Sequence, residues 1–209
     1  MRLLPRLKIA QKLPVVVAGA ALIASAIVGV LGYEISANTV TTLSIESNVV
    51  ETANDGKSTG IALGSVRTGQ VKNNRVTAGG VAALCTAGGP NRLTGNSLSD
   101  RYTGVALRRE AAPVIAQNRI DAMRSAGIQC GGITGRCEIV QNRITSCGFR
   151  STSGAGIQIT QVQGDLHIDG NEVIDTGLSP DRQTVAPLAL GITGSLVLEA
   201  CISNNYVGY

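Results

Sequence analysis

The sequence predicts an all-β solenoid of stacked coils over residues 45–209, preceded by one apolar helix. Three observations support this prediction. Hydrophobic residues make up 44% of the chain but aromatic ones only 2%, so aliphatic side chains and the 26 glycines must build the core. Asparagines flanked by apolar residues recur at spacings of 22 residues or more. An uncharged apolar run precedes these repeats.

The N-terminal segment, residues 1–34, has the pattern of a membrane anchor. No charged residue occurs from Leu13 to Tyr33, and at about 1.5 Å per residue this run is long enough to cross a bilayer as a helix. Four basic residues precede the run, and the first charges after it are acidic. The positive-inside rule therefore predicts a single-pass protein of the bacterial inner membrane with residues 45–209 in the periplasm. Residues 35–44 are predicted to be a linker.

Two alternatives to the anchor stay open. Ala24-Ser25-Ala26 fits the small-x-small pattern of a signal-peptide cleavage site, and cleavage there would release a secreted protein. A buried soluble helix is the third interpretation, but the apolar run has no polar face to support it.

The stretch Leu7 to Pro14 and the Ala/Val/Gly-rich run after it resemble the first transmembrane segment of bacterial methyl-accepting chemoreceptors. The resemblance implies a membrane anchor and raises a sensory receptor fragment as one function. The rest of the chain departs from that family, because a second transmembrane run, a HAMP-like segment and a heptad-patterned hairpin are all missing from the sequence. We therefore expect an anchor shared by descent, or a fused reading frame, rather than a working chemoreceptor.

The repeat is an asparagine with Val, Ile or Leu three residues before it and two residues after it. Eight of the twelve asparagines satisfy this rule, whereas the composition predicts about one by chance. Six consecutive cases define the coils: Asn74, Asn96, Asn118, Asn142, Asn171 and Asn205. Asn48 gives a seventh case, and Asn38 lies too close to Asn48 to mark another coil.

A second set of short apolar segments, each opened by glycine, lies between the asparagines. These segments begin at Gly60, Gly80, Gly104, Gly127 and Gly156. One such unit cannot close a core alone, so we expect coils stacked at about 4.8 Å around one aliphatic column. At each corner the asparagine is expected to adopt the left-handed backbone conformation of a tight bend, and its amide to bond to the asparagine of the next coil.

These repeats resemble the right-handed, single-stranded parallel β-helix of pectin-lyase-like proteins, across residues 45–209. Leucine-rich repeats, the nearest rival, require a denser Leu-x-x-Leu-x-Leu pattern that this sequence lacks. The resemblance implies that any active site lies on the outer face of a parallel sheet. It also raises a polysaccharide lyase or glycoside hydrolase as an alternative function, although no pectinase signature can be matched residue by residue.

One candidate catalytic patch follows from the alternation of side chains along the strands. Glu138, Asp165, His167 and Asp169 are all predicted to point outward and to cluster. Such a cluster could perform general acid/base chemistry or hold a divalent cation. The competing interpretation is a solvated surface, since polar residues must face water on any solenoid.

A second outward row is formed by the residue after each repeat asparagine. Its members are Arg75, Ser97, Arg119, Arg143, Glu172 and Tyr206. Arg119 and Arg143 would lie one coil apart and could bind an acidic polysaccharide. The structural interpretation is a solvated row with one cross-coil ion pair worth under about 1 kcal/mol.

The five cysteines leave two interpretations open. In an exported chain Cys130 could form a disulfide with Cys137 or Cys147. Repeat alignment instead places Cys130 level with Leu107 and Ile159, which favours core packing. The same alignment places Cys147 level with Met123 and Thr176.

Cofactors, metals and nucleic acid are not expected as partners. The chain has one histidine, so a zinc site would be hard to assemble. The net charge of +4 comes from the basic N-terminus, which leaves the remainder near neutral.

The function favoured by the sequence is an exported structural or ligand-binding surface module, with a polysaccharide or a protein as its ligand. The chain is expected to contact the membrane through residues 13–33. Because the last repeat ends at Val207, two residues before the last residue of the sequence, its strands would lack a cap. We therefore expect a homo-oligomer or a longer chain to cover them.

Overall fold

The computed structural model describes residues 22–24, 35–38, 41–52, 57–151, 154–183, 186 and 188–209. Within these residues every regular element is a β-strand, and every strand pairing is parallel. The strands are β1 (Leu22–Ala24), β2 (Ile35–Asn38), β3 (Thr42–Glu46), β4 (Val49–Glu51), β5 (Thr59–Gly64), β6 (Thr68–Lys72), β7 (Arg75–Thr86), β8 (Arg92–Thr94), β9 (Ser97–Arg108), β10 (Val114–Ala116), β11 (Arg119–Asp121), β12 (Ala126–Ile133), β13 (Cys137–Val140), β14 (Arg143–Thr145), β15 (Gly154–Asp169), β16 (Glu172–Ile174), β17 (Ala189–Ser203) and β18 (Tyr206–Gly208).

Three parallel sheets wrap around one core, and each coil of the chain contributes to all three. Sheet A holds the segments before the repeat asparagines: β1, β3, β6, β8, β10, β13 and the C-terminal parts of β15 and β17. Sheet B holds the segments after them: β4, β11, β14, β16, β18 and the first residues of β7 and β9. Sheet C holds β2, β5, β12 and the remainders of the long strands. The predicted parallel β-solenoid is confirmed.

The repeat asparagines form a continuous ladder at the corner between sheets A and B. In each asparagine from Asn48 to Asn171, the backbone N–H and the side-chain Nδ2 both donate to Oδ1 of the asparagine one coil on, at 2.9–3.0 Å. From Asn74 to Asn205, Nδ2 also donates to a backbone carbonyl of the preceding coil, at 2.8–2.9 Å. The six predicted coils are therefore confirmed, and Asn48 marks the seventh.

The predicted left-handed conformation belongs to a different residue of this corner. None of the ladder asparagines has a positive φ; the residue immediately before each one does. These residues are Ser47, Asn73, Gly95, Gln117, Gln141, Gly170 and Asn204, with φ between 52° and 65°. The chain bends one residue early because the asparagine must keep its amide inside the stack, between two coils.

The core is the aliphatic column that the repeat predicts. The apolar residues before and after each ladder asparagine are at most 3% exposed from Ile45 to Val173. In the last coil the equivalent residues, Ile202 and Val207, are 57% and 51% exposed. The prediction therefore holds for the interior coils and fails in the last described coil.

One predicted alignment in sheet C is wrong by two residues. Ile61 pairs with Ala83 rather than with Val81, so Ala82, not Gly80, occupies the position of Gly60 and Gly104. The small Ala82 is completely buried there. The sequence rule failed because it searched for glycine, whereas this coil carries alanine at that position.

The longer spacings before Asn171 and Asn205 are taken up at one corner. Sheet B ends in register at Thr145 and Ile174, and sheet C resumes in register at Gly154 and Ala189. Those residues between them that the structure describes belong to neither sheet, and the register is the same on both sides of them.

The predicted anchor helix over residues 13–33 lies outside the described residues, apart from Leu22–Ala24. Those three residues form β1 and pair with β3. Strand β2 and the start of β3 fall within the predicted linker, residues 35–44. In the part of the chain that the structure describes, no helix is long and apolar enough to span a bilayer.

The cysteines follow the core-packing interpretation. Cys130 pairs in register with Leu107 and Ile159, as predicted. Cys147 accepts a backbone hydrogen bond from Gly177 and is completely buried. All five cysteines are free: four are buried, and Cys201 is exposed.

Candidate functional site

The predicted acidic patch lies on the outer face of sheet A. Glu138 of β13 is in direct register with His167 of β15, as the repeat predicted. Asp169, two residues further along β15, is level with Val140 and Ser203. Asp165 is exposed at the other end and follows a register shift after Val162. The structure thus places Glu138, His167 and Asp169 together and leaves Asp165 at the margin.

Two of the three carboxylates of this patch, those of Glu138 and Asp169, are already engaged by neighbouring side chains. Nε of Arg136 lies 2.9 Å from Oε1 of Glu138. Oδ1 of Asp169 accepts hydrogen bonds from Oγ of Ser203 at 2.7 Å and from Nδ2 of Asn204 at 2.8 Å. These two hydrogen bonds, and then the charge of His167, hold the pKa of Asp169 below its ordinary value. A carboxylate with a lowered pKa is ionised at neutral pH and is a poor proton donor there.

One neighbour of the patch was missed in the sequence. His167 is in register with the exposed Cys201 on its other side, so Glu138, His167 and Cys201 form one outward column across three coils. The repeat alignment could have shown it, since Cys201 precedes Asn205 by the same four residues that separate His167 from Asn171. Among the described residues no group of His, Cys, Asp and Glu is arranged to hold a metal ion.

The predicted arginine row lies on the outer face of sheet B. Arg119 is in register with Ser97 and Arg143, and Arg143 with Glu172. Arg143 and Glu172 form the expected cross-coil ion pair. Both side chains are more than a third exposed, so the pair contributes little to stability. Ligand binding by Arg119 and Arg143 stays a prediction.

An open groove of about 450 Å³ on sheet C was not predicted. Eight residues from three adjacent coils line it: Leu107, Arg108, Arg109, Gln129, Gly131, Gly132, Thr160 and Gln161. Arg108, Gly131 and Thr160 are level with one another at the end of the sheet. Arg109, Gly132 and Gln161 follow them at the corner, with φ values of 56°, 66° and 60°.

The groove exists because its middle coil has no side chains at these two positions. Gly131 and Gly132 leave a gap between the coil of Arg108 and Arg109 and the coil of Thr160 and Gln161. On the neighbouring outward row, Nε2 of Gln129 donates to Oε1 of Gln158 at 3.3 Å. The signal in the sequence was a Gly-Gly pair aligned with an Arg-Arg pair, but glycines in a repeat are first interpreted as turns.

Among the described residues, two charged side chains are buried inside the solenoid, both completely. Arg101 donates to Oγ1 of Thr52 at 2.7 Å and to the carbonyl of Thr77. Glu110 accepts from the backbone N–H of Gly88 at 3.1 Å and from Nδ2 of Asn91 at 2.7 Å. Burial raises the pKa of Glu110, and these two hydrogen bonds oppose that rise.

Comparison with known proteins agrees with the fold. A family model described as "Right handed beta helix region" matches residues 20–206. No curated protein and no solved structure matches the chain. The matched range runs from just before β1 to the first residue of β18.

Proposed function

The chain belongs to the right-handed beta helix family, and from that premise we propose that it is an exported surface module that binds a ligand, with a glycan as the first candidate. A parallel β-helix holds its outward side chains in fixed register, coil upon coil, so it can present a rigid binding surface without moving parts. The fold hosts many activities, so the function must be argued from the surface itself.

The groove on sheet C is the observation that carries this proposal. Its volume of about 450 Å³ lies within the range of small-molecule sites, about 300–1,000 Å³. Its lining combines exposed arginines, an amide and a hydroxyl with backbone left bare by two glycines. Such groups bind the hydroxyl and acidic groups of a saccharide without having to react with it.

The alternative is a polysaccharide lyase or hydrolase, and one observation favours it. Glu138 and His167 are in register on adjacent strands, where a base and an acid could act on one substrate. Against it, Glu138 is paired with Arg136, and Asp169 is held by Ser203 and Asn204.

A combined screen separates the two functions. The full chain, in a mild detergent, is tested on a glycan array and for cleavage of acidic polysaccharides. The surface module predicts binding without turnover. Turnover that is lost in His167→Ala, and retained in Gln163→Ala as a neighbouring exposed control, would contradict the surface module and support the enzyme. Absence of both binding and turnover would contradict each of them.

The proposed location is the periplasmic face of the bacterial inner membrane, with residues 13–33 as a single-pass anchor. The support is the uncharged run and its basic N-terminal flank. Against it, Leu22–Ala24 pair with β3 as strand β1. The test is fractionation of cells that express the full chain, before and after alkaline carbonate extraction. We expect the wild type to stay with the membranes and Ala20→Lys, which places a charge in the run, to be released. A wild type recovered in the soluble fraction would contradict the anchor.

A further inference from the structure

The groove on sheet C contains a glycine that the fold does not require. Gly131 does not have a positive φ, and a Cβ built there would come close only to Thr160, at 3.0 Å from Oγ1 and at an ordinary contact distance of 3.7 Å from its carbonyl oxygen. Gly127, in the same strand, is different: its Cβ would lie 2.6 Å from Ile144 and 2.7 Å from the carbonyl of Gly156. Gly127 serves packing, whereas Gly131 keeps the groove open.

The groove is also the place where two arginines have no acidic partner. Arg108 and Arg109 are both exposed, and among the described residues neither takes part in an ion pair. The next residue, Glu110, is turned into the solenoid and held by Gly88 and Asn91. No acidic residue is among the eight that line the groove. The electrostatic potential in the groove is therefore positive.

The chemistry of these groups defines the ligand. A guanidinium group binds carboxylate, sulfate or phosphate oxygens through two parallel hydrogen bonds, which makes arginine the preferred partner of oxyanions. The opposite wall carries neutral groups, the hydroxyl of Thr160 and the amide of Gln161, which suit alcohol groups. The two walls together match a molecule that is anionic at one end and hydroxylated at the other.

We propose that this groove is the binding site of the module and that it takes a small oxyanion-bearing polyol, such as a sugar that carries a carboxylate, sulfate or phosphate. The inference rests on the proposed binding function and names its site and its ligand class. The anionic group lies against Arg108 and Arg109, above the bare backbone of Gly131 and Gly132. The hydroxylated body lies against Thr160 and Gln161.

The test is a calorimetric titration of the full chain with four probes: glucose, glucose 6-sulfate, glucuronate and sodium sulfate. The two anionic sugars should bind at least about tenfold more tightly than glucose, because charge-assisted hydrogen bonds are the stronger ones. They should also bind more tightly than sodium sulfate. If glucose binds as tightly as the anionic sugars, the site does not recognise an oxyanion. If sodium sulfate binds as tightly as the anionic sugars, the site does not recognise the sugar.

The site is tested with variants. The double variant Arg108→Gln/Arg109→Gln should weaken binding of glucose 6-sulfate at least about tenfold, and Gly131→Val, which fills the groove, should do the same. The matched control is Arg92→Gln, which removes an exposed arginine from the outer face of sheet A and should change binding less than about twofold. Circular dichroism and thermal unfolding check that every variant is folded.

The outcomes separate this inference from the proposed function. Binding of anionic sugars that is unchanged in the double variant and in Gly131→Val would overturn the site while leaving the module intact. Binding of neutral glycans alone on the array would overturn the ligand class only. Failure of every probe and every array glycan to bind would overturn both the inference and the binding function.

Discussion

At the scale of single residues, the asparagine ladder explains why one residue type recurs in every coil. Each interior ladder asparagine uses both hydrogens of Nδ2 and accepts two hydrogen bonds at Oδ1 while it is nearly inaccessible to water. No other side chain offers two donors and an acceptor at that length. Aspartate would bring a buried charge, and leucine would leave the surrounding backbone groups unpaired.

The first prediction is that Asn118→Ala destabilises the protein by about 2–4 kcal/mol, because it leaves the carbonyl of Leu93 and two donors of Asn96 buried without partners. Chemical denaturation measures the loss. Asn205→Ala is the matched control. Its loss should be smaller, because Asn205 lies in the partly exposed last coil, where water can replace the amide. Equal losses would contradict the buried-ladder explanation.

Glu110 is the residue whose protonation should be coupled to folding. Burial raises its pKa in the folded protein above the ordinary value of 4.5. The folded state therefore holds this proton more tightly than the unfolded state does. The resulting stabilisation is fully present below pH 4.5 and is lost as the pH rises through the raised pKa.

The second prediction is that Glu110→Gln removes this loss of stability at higher pH. Its free energy of unfolding, relative to the wild type, should increase as the pH is raised from about 4 to 8. Denaturation curves at several pH values test it, and a difference that does not vary with pH would count against the coupling.

At the scale of the strand, β12 shows that glycine has two separate uses in one element. At its start, Gly127 makes room for a side chain of sheet B and a backbone carbonyl of the next coil. Towards its end, Gly131 lies on the outer row, where an added Cβ would lie 3.0 Å from Oγ1 of Thr160 and 3.7 Å from its carbonyl oxygen. That hydroxyl donates to the carbonyl of Cys130 at 3.2 Å. Strand register alone does not distinguish them, because both belong to the same parallel pairing with β15.

The third prediction contrasts these two glycines. Gly127→Ala should destabilise the protein by about 2 kcal/mol or more, since its Cβ would overlap Ile144 and the backbone of Gly156. Gly131→Ala should change the stability by less than about 0.5 kcal/mol. Thermal unfolding of both variants and the wild type measures the difference. Similar losses of stability in the two variants would mean that Gly131 also serves packing. They would remove one argument for the groove as a binding site.

At the scale of the whole molecule, the last described coil differs from the interior of the stack. The last coil exposes six large apolar side chains, each more than half accessible: Leu196, Leu198, Ile202, Tyr206, Val207 and Tyr209. The strands that carry the first five of them, β17 and β18, are each paired on one side only. Such an edge favours the addition of further strands, and apolar side chains add to the driving force.

The fourth prediction is that the detergent-solubilised full chain self-associates through this coil. Light scattering coupled to size exclusion should show a species larger than the monomer, and Leu196→Asp/Leu198→Asp should reduce it to the monomer. Tyr102→Asp is the matched control, because Tyr102 is an exposed apolar residue of an interior coil, and it should leave association unchanged. A monomeric wild type would rule out this surface as an interface between copies.

The fold, the register of sheets A and B, and the neighbours of Cys130 could all be predicted from the sequence. Local alternation decides which side chains point inward, and identical corner chemistry forces successive coils into register. The same logic correctly placed Glu138 beside His167. These features repeat every coil, so one rule applied along the chain reaches all of them.

Only the tertiary structure decided the features that depend on what neighbouring coils leave empty. The left-handed corner residue, the equivalence of Ala82 with Gly60, the groove over Gly131 and the exposure of Ile202 follow from contacts between coils. A sequence pattern states which way each side chain points. Whether that side chain meets another one, a bare backbone or water is settled by the coils stacked on either side of it.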